Sequence, residues 1–129
     1  ELAESHLAEL QLAMARLVAE PERLTPETAQ SLLDKVRSGD VVLLDVRPAA
    51  EFRVAHIPGA RSVPLEELQA RIRELPRDKD IVAYCRGPFC LMSESAVALL
   101  KNHGFRARKS AEGVPEWRAA GMPVDCVAA

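Results

Sequence analysis

The residues best equipped for chemistry lie in the stretch AYCRGPFCLMSESAVALL, residues 83–100. Cys85 closes an apolar run, and Arg86, Gly87, Pro88, Phe89 and a second cysteine, Cys90, follow before a helical pattern begins. A cysteine between the end of a buried strand and the start of a helix sits where open α/β sheets hold their ligands. Loop N–H groups can curl around whatever the sulfur carries, and the helix N-terminus adds roughly half a positive charge. Both favour the thiolate, which is the nucleophilic form of a group whose ordinary pKa is about 8.5. Arg86 adds a fixed positive charge beside the thiol. The stretch therefore predicts a nucleophile that needs no separate base. The competing reading is an inert buried cysteine, since cysteine is among the most buried residue types. The Gly-Pro turn, the arginine and the strand–loop–helix context favour the reactive one.

Other chemistries fit less well. A phosphatase or arsenate reductase of the Cys-x5-Arg type would need an arginine six residues after the nucleophile to clamp a tetrahedral anion, and position 91 is leucine. Two cysteines with no histidine nearby make an incomplete zinc site, so no metal is expected. Asp45 and Arg47, in DVR at the end of an earlier apolar run, read as a buried ion pair bracing neighbouring loops, with Glu51 beside them. His56, in HIPGA, reads as a turn-bracing histidine rather than a partner for Cys85. Trp117 reads as packing, RARK (106–109) as a solvated strand face, and Cys126 as incidental.

The elements that would position these groups follow from periodicity and punctuation. Leu7, Leu10, Met14 and Leu17 are spaced 3, 4, 3 and form an amphipathic helical seam, which Pro21 ends. Thr25-Pro26 is a helix start, and Ser38-Gly39-Asp40 a helix stop. VVLLDV (41–46) and DIVAYC (80–85) are runs suited to strands buried on both faces. PAAEF (48–52) fits a helical turn, RSVP (61–64) a short strand and LEELQARIREL (65–75) a helix. A helix over 93–103, with Ala96, Leu99 and Leu100 inward, should close at Gly104. A strand over 105–109 and a helix over 114–121 complete the pattern. Strands alternating with helices predict an α/β fold around a mostly parallel sheet. The division expected is an N-terminal helical arm over 1–24 and one domain over 25–129.

Bulk properties narrow the class further. With 129 residues, a net charge of −2 and no apolar run near the ~20 residues that span a bilayer, the chain reads as one globular domain. It is not drawn electrostatically to nucleic acid or to a membrane. Three cysteines, two of them five positions apart, argue against a disulfide framework and for reactive thiols in a reducing, cytoplasmic setting.

Several segments in order carry a family resemblance. LLDVRPAAEFRVAHIPGARSVPLEEL, IVAYCRG, LLKNHGF and GVPEWRAAGMPV resemble the rhodanese (sulfurtransferase) family over about residues 25–124. The resemblance implies a five-stranded, mostly parallel sheet flanked by helices. It also implies a cysteine, matched by Cys85, that takes a sulfane sulfur from a donor, holds it as a persulfide and passes it to a thiophilic acceptor such as a thiol or cyanide. No cofactor is implied. The loop Arg86, Gly87, Pro88, Phe89, Cys90, Leu91 and Met92 would bind the donor, thiosulfate or an organic persulfide. That loop carries Cys90, Leu91 and Met92 where many members have Arg, Ser or Thr, so an anionic donor would be gripped less firmly.

Cys90 would serve as a resolving thiol, attacking a Cys85 persulfide to release sulfide. It could equally be a sensor, or small packing in the loop. The arm, AYCRGPFC and GVPEWRAAG together resemble the rhodanese half of ArsR-type regulators fused to a rhodanese domain. This implies a homodimer through the N-terminal helix, with DNA binding belonging to another segment. Two functions follow: a sulfurtransferase working through Cys85, or a sulfur- and redox-sensing module that uses Cys85 and Cys90 without turnover.

Overall fold

Two apolar strands in register set the frame. The structure, a computed structural model, describes residues 26–87, 90–110 and 112–127. The elements are α1 (Pro26–Ser38), β1 (Val41–Asp45), α2 (Ala49–Val54), β2 (Arg61–Ser62) and α3 (Leu65–Arg71), which runs into a 3-10 turn at Ile72–Glu74. β3 (Asp80–Tyr84), α4 (Leu91–Asn102), β4 (Ala107–Lys109) and α5 (Val114–Ala119) follow. The sheet order is β2-β1-β3-β4, and every pairing is parallel. β1 and β3 pair along their whole length, from Val41 with Asp80 to Asp45 with Tyr84. All five β1 residues are buried, as a central strand covered by helices on both faces requires.

Side chains alternate across this sheet with period two, which makes two cores. Val42, Leu44, Val46, Ile81, Ala83 and Cys85 face one way, against Leu68 of α3 and Ala96 and Leu100 of α4. Val41, Leu43, Val82 and Tyr84 face the other, against Ala29 and Leu33 of α1 and Val114 and Trp117 of α5. Tyr84 and Cys85 are adjacent in sequence and serve opposite cores. Each fully buried aliphatic side chain contributes about 1.5–3 kcal/mol, so this alternation fixes the strand phase firmly.

Of the five strands that the resemblance implied, the described residues contain four, all parallel. The remaining extended pairing among them is a single antiparallel bridge between His56 and Asp125. Two expectations change. The strand expected over 105–109 is only three residues long, because Phe105 is drawn into the α4 core instead of alternating outward. Helix α4 starts at Leu91 rather than near Ser93, with Cys90 extended at its N-cap and the Ser93 hydroxyl donating to the Cys90 carbonyl. Its far end is as expected. Gly104, at φ 85°, takes the left-handed turn that lets Phe105 N–H reach the Leu100 carbonyl at 3.0 Å. The N-terminal arm and its dimer seam lie outside the described residues. No helix among them is long and apolar enough to cross a membrane.

Candidate active site

Cys85 follows β3 directly at the carboxyl edge of the sheet and is 1% exposed. It packs in the α4-side core with Val46 and Ala96, and the partly buried Leu65, Cys90 and Met92 lie against the same cluster. The sulfurs of Cys85 and Cys90 are joined in a disulfide, with the two Cα atoms 6.2 Å apart. The free thiolate expected at Cys85 is therefore not the form present here. The cause is local: the Cys90 N–H donates to the Gly87 carbonyl at 3.2 Å, and this turn folds Cys90 back over Cys85.

The same turn occupies the Cys90 amide, and Pro88 has no N–H to offer. Pro88 and Phe89 lie outside the described residues, so the expected cage of loop amides is described only in part. Leu91, the first residue of α4, is 71% exposed at the rim, while Met92 turns inward.

Arg86 does not face the sulfur. The alternation that turns Cys85 toward α4 turns Arg86 toward α2, where its Nε and Nη2 donate to the two carboxylate oxygens of Glu51 at 2.9 and 2.8 Å. The hydrogen bond to Arg86 holds the Glu51 carboxyl below the usual carboxylate range, and the same bond raises the Arg86 pKa. The loop's single cation is thus balanced by a carboxylate. The sequence placed Glu51 with Asp45 and Arg47 and missed this pair, because the two partners are 35 positions apart.

Gly113 is a second feature that sequence reasoning missed. It caps α5, and its backbone passes so close to the carbonyls of Cys85 and Arg86 that a Cβ there would overlap the Cys85 oxygen. The Glu116 carboxylate accepts from the Gly113 N–H at 3.2 Å and completes the helix cap. GVPEW was legible as a helix start. Its contact with the cysteine was not.

Asp45 and Arg47, read as structural, form a hydrogen-bonded set with Tyr84 at the end of β1. Asp45, fully buried, accepts from the Arg47 backbone N–H and Nε at 3.0 Å each, from Arg47 Nη2 at 2.6 Å and from the Tyr84 hydroxyl at 2.7 Å. Arg47 Nη2 also donates to the Ala55 carbonyl at 2.6 Å, and the Tyr84 oxygen accepts from the Ile57 N–H at 3.1 Å. Burial opposes the charge on Arg47, but the hydrogen bond and attraction of Asp45 outweigh it and the pKa rises. Burial, reinforced by the charge on Asp45, pushes the Tyr84 hydroxyl well up, so it stays a donor. His56 stacks on Phe52 with ring centroids 3.7 Å apart, and its Nδ1 lies 2.8 Å from the Phe52 carbonyl. Trp117 is buried, with Nε1 donating to the Pro123 carbonyl at 2.6 Å. Cys126 is exposed and free. Among the described residues no group of three His, Cys, Asp or Glu could hold a metal ion.

A parallel sheet flanked by helices, with a cysteine between a central strand and the next helix, defines the class of α/β domain to which the chain belongs. The Rhodanese-like domain description matches residues 28–120, and the chain belongs to that family. It is 43% identical over 124 residues, 96% of its length, to the HTH-type transcriptional regulator Rv0324 of Mycobacterium tuberculosis, and spans 54%, about half, of that protein. It is 35% identical over 86 residues to a sulfurtransferase of Allochromatium vinosum, covering 66% of this chain and 78% of that one. Among solved structures, a thiosulfate sulfurtransferase from Pseudomonas aeruginosa superposes with TM-score 0.66 at 31% identity, covering 80% of this chain and 20% of that one. Family and relatives together support sulfur transfer in general terms, and the regulator relative fits a fusion of a regulator with a rhodanese domain.

Proposed function

We propose that the chain accepts a sulfane sulfur on Cys85. The reduced Cys85 thiolate attacks the outer sulfur of the donor, the donor's S–S bond breaks, and its electron pair leaves on the inner sulfur as a thiolate, or as sulfite from thiosulfate. Cys85 then carries a persulfide with no net oxidation or reduction. A thiophilic acceptor takes the terminal sulfur and returns the thiolate. The observation that carries this reading is the position of Cys85, at the end of β3 and before the N-terminus of α4, in a chain of the rhodanese-like family.

The disulfide favours a second reading of the same first step. The Cys90 thiolate can attack the inner sulfur of the Cys85 persulfide, expelling hydrosulfide and leaving the Cys85–Cys90 disulfide. The two sulfurs are already paired, which supports such a step, and a regulator is among the relatives. In that case the domain reports sulfur once and resets through a reducing thiol.

Reduced protein incubated with a sulfane donor should gain one sulfur atom in intact mass, and Cys85→Ser should abolish the gain. Absence of an adduct on reduced wild type, with cysteines titrating as free, would sink the proposal. With cyanide as acceptor, many turnovers in wild type support the enzyme. A single stoichiometric release of sulfide that ends at the disulfide, and becomes a lasting adduct in Cys90→Ser, supports the sensor.

A further inference from the structure

A cavity of about 190 Å³ opens at the same edge of the sheet as Cys85. Its walls are Val46 and Pro48 after β1, Pro64 and Leu65 at the start of α3, Glu66, and Met92 of α4. Val46, Leu65 and Met92 also belong to or pack against the apolar cluster that includes Cys85, so the cavity borders the core that holds the sulfur. Five of the six lining residues are apolar. The sixth is an exposed carboxylate.

Two observations count against an anion in this cavity. Arg86, the single cation in residues 85–92, is held by both oxygens of Glu51. The neighbouring Glu67 is paired with Arg71, and among the described residues Glu66 has no cation paired to it. At about 30 Å³ per water, the volume suits a group of about six heavy atoms, well below the roughly 300 Å³ of a drug-sized site.

We infer that this cavity seats the organic half of the sulfur donor and that Glu66 selects against charge there, making the preferred donor a persulfide with a short, uncharged alkyl group. The inference rests on the proposed sulfur transfer at Cys85. The sulfane end of the donor lies at Cys85, the alkyl group fills the space between Val46, Leu65 and Met92, and the alkyl thiolate departs when the donor's S–S bond breaks. An anionic group of the same length would stand beside the Glu66 carboxylate. At separations of about 6 Å across wet protein, that repulsion is worth about three- to tenfold in binding.

The test compares propyl persulfide with the persulfide of equal length that ends in a carboxylate. Their reacting sulfurs are chemically alike, so intrinsic reactivity cancels. Reduced wild type should show kcat/KM about three- to tenfold higher for the propyl donor, and Glu66→Gln should bring the two within about twofold. Equal rates with both donors in wild type, or an unchanged ratio in Glu66→Gln, would overturn the inference while leaving transfer at Cys85 intact. Loading by neither donor, with Cys85→Ser indistinguishable from wild type, would instead sink the underlying function.

Discussion

At the carboxyl end of β1 the sheet stores charge, and one strand away, at the end of β3, it stores a sulfur. Asp45 and Arg47 are buried, yet nearly every polar atom they carry meets a partner: each other, the Tyr84 hydroxyl or the Ala55 carbonyl. Cys85 is equally buried, but its neighbours are Val46, Ala96, Met92 and a second sulfur, and no charged group is paired with it. The sheet's alternation separates the two arrangements, because Asp45 and Tyr84 point to the α1 side and Cys85 to the α4 side. A closed network resists change, whereas a sulfur among apolar walls has one partner to exchange. The comparison teaches that burial alone says little about role here. Partner count decides it.

The largest test of that contrast is Asp45→Ala. It strands the Arg47 guanidinium in the interior, and breaking a buried pair in this way costs about 3–5 kcal/mol. Cys85→Ala in reducing buffer removes one packed sulfur and should cost about 1 kcal/mol. Denaturant melts of the two variants should therefore differ by several kcal/mol, and comparable losses would erase the distinction. Tyr84→Phe is next. It deletes the donor to Asp45 and the acceptor for the Ile57 N–H, an expected loss of about 1–3 kcal/mol by the same melts. Persulfide loading at Cys85 should survive, since the hydroxyl lies on the other face.

Gly113→Ala sharpens the comparison from the sulfur side. The added methyl must push back the Cys85 and Arg86 carbonyls, and overpacking of this kind costs about 1–3 kcal/mol. Unlike Tyr84→Phe, it should also slow loading of Cys85, read as the rate of the one-sulfur mass gain in reduced protein. A variant that lost stability with its loading rate unchanged would show that the Gly113 contact is packing alone.

How much of this was legible in the sequence follows from interaction range. β1 and β3 were read correctly because runs such as VVLL and IVAY have few alternatives to a strand covered on both faces. The Asp45–Arg47 pair was legible because its partners are two positions apart and both leave the same strand end. The Gly113 approach and the Arg86–Glu51 pair were not, since each joins segments brought together only by the crossover connections of the sheet. The start of α4 was misplaced by two residues because Cys90 is not a usual N-cap residue, and the turn from Gly87 places it there. Phe105 misled for a similar reason: it has the β propensity of a strand residue, but an open site in the α4 core claimed it.

The smallest expected effect concerns the latch that ties the sulfur loop to α2. Glu51 is held below its ordinary pKa by Arg86, so the pair supports the fold above the usual carboxylate range near pH 4.5 and is lost as pH falls through the lowered folded value. Wild type should therefore lose stability over that acid window more steeply than Glu51→Gln, whose side chain does not titrate. Both groups are substantially exposed, so near neutral pH the two proteins should have nearly coincident melts and loading rates within about twofold. A much larger drop in loading for Glu51→Gln at neutral pH would mean that Arg86, once released, reaches the sulfur or its donor. The loop would then carry a mobile cation, and the contrast between a charged strand end and an uncharged one would fail at this residue.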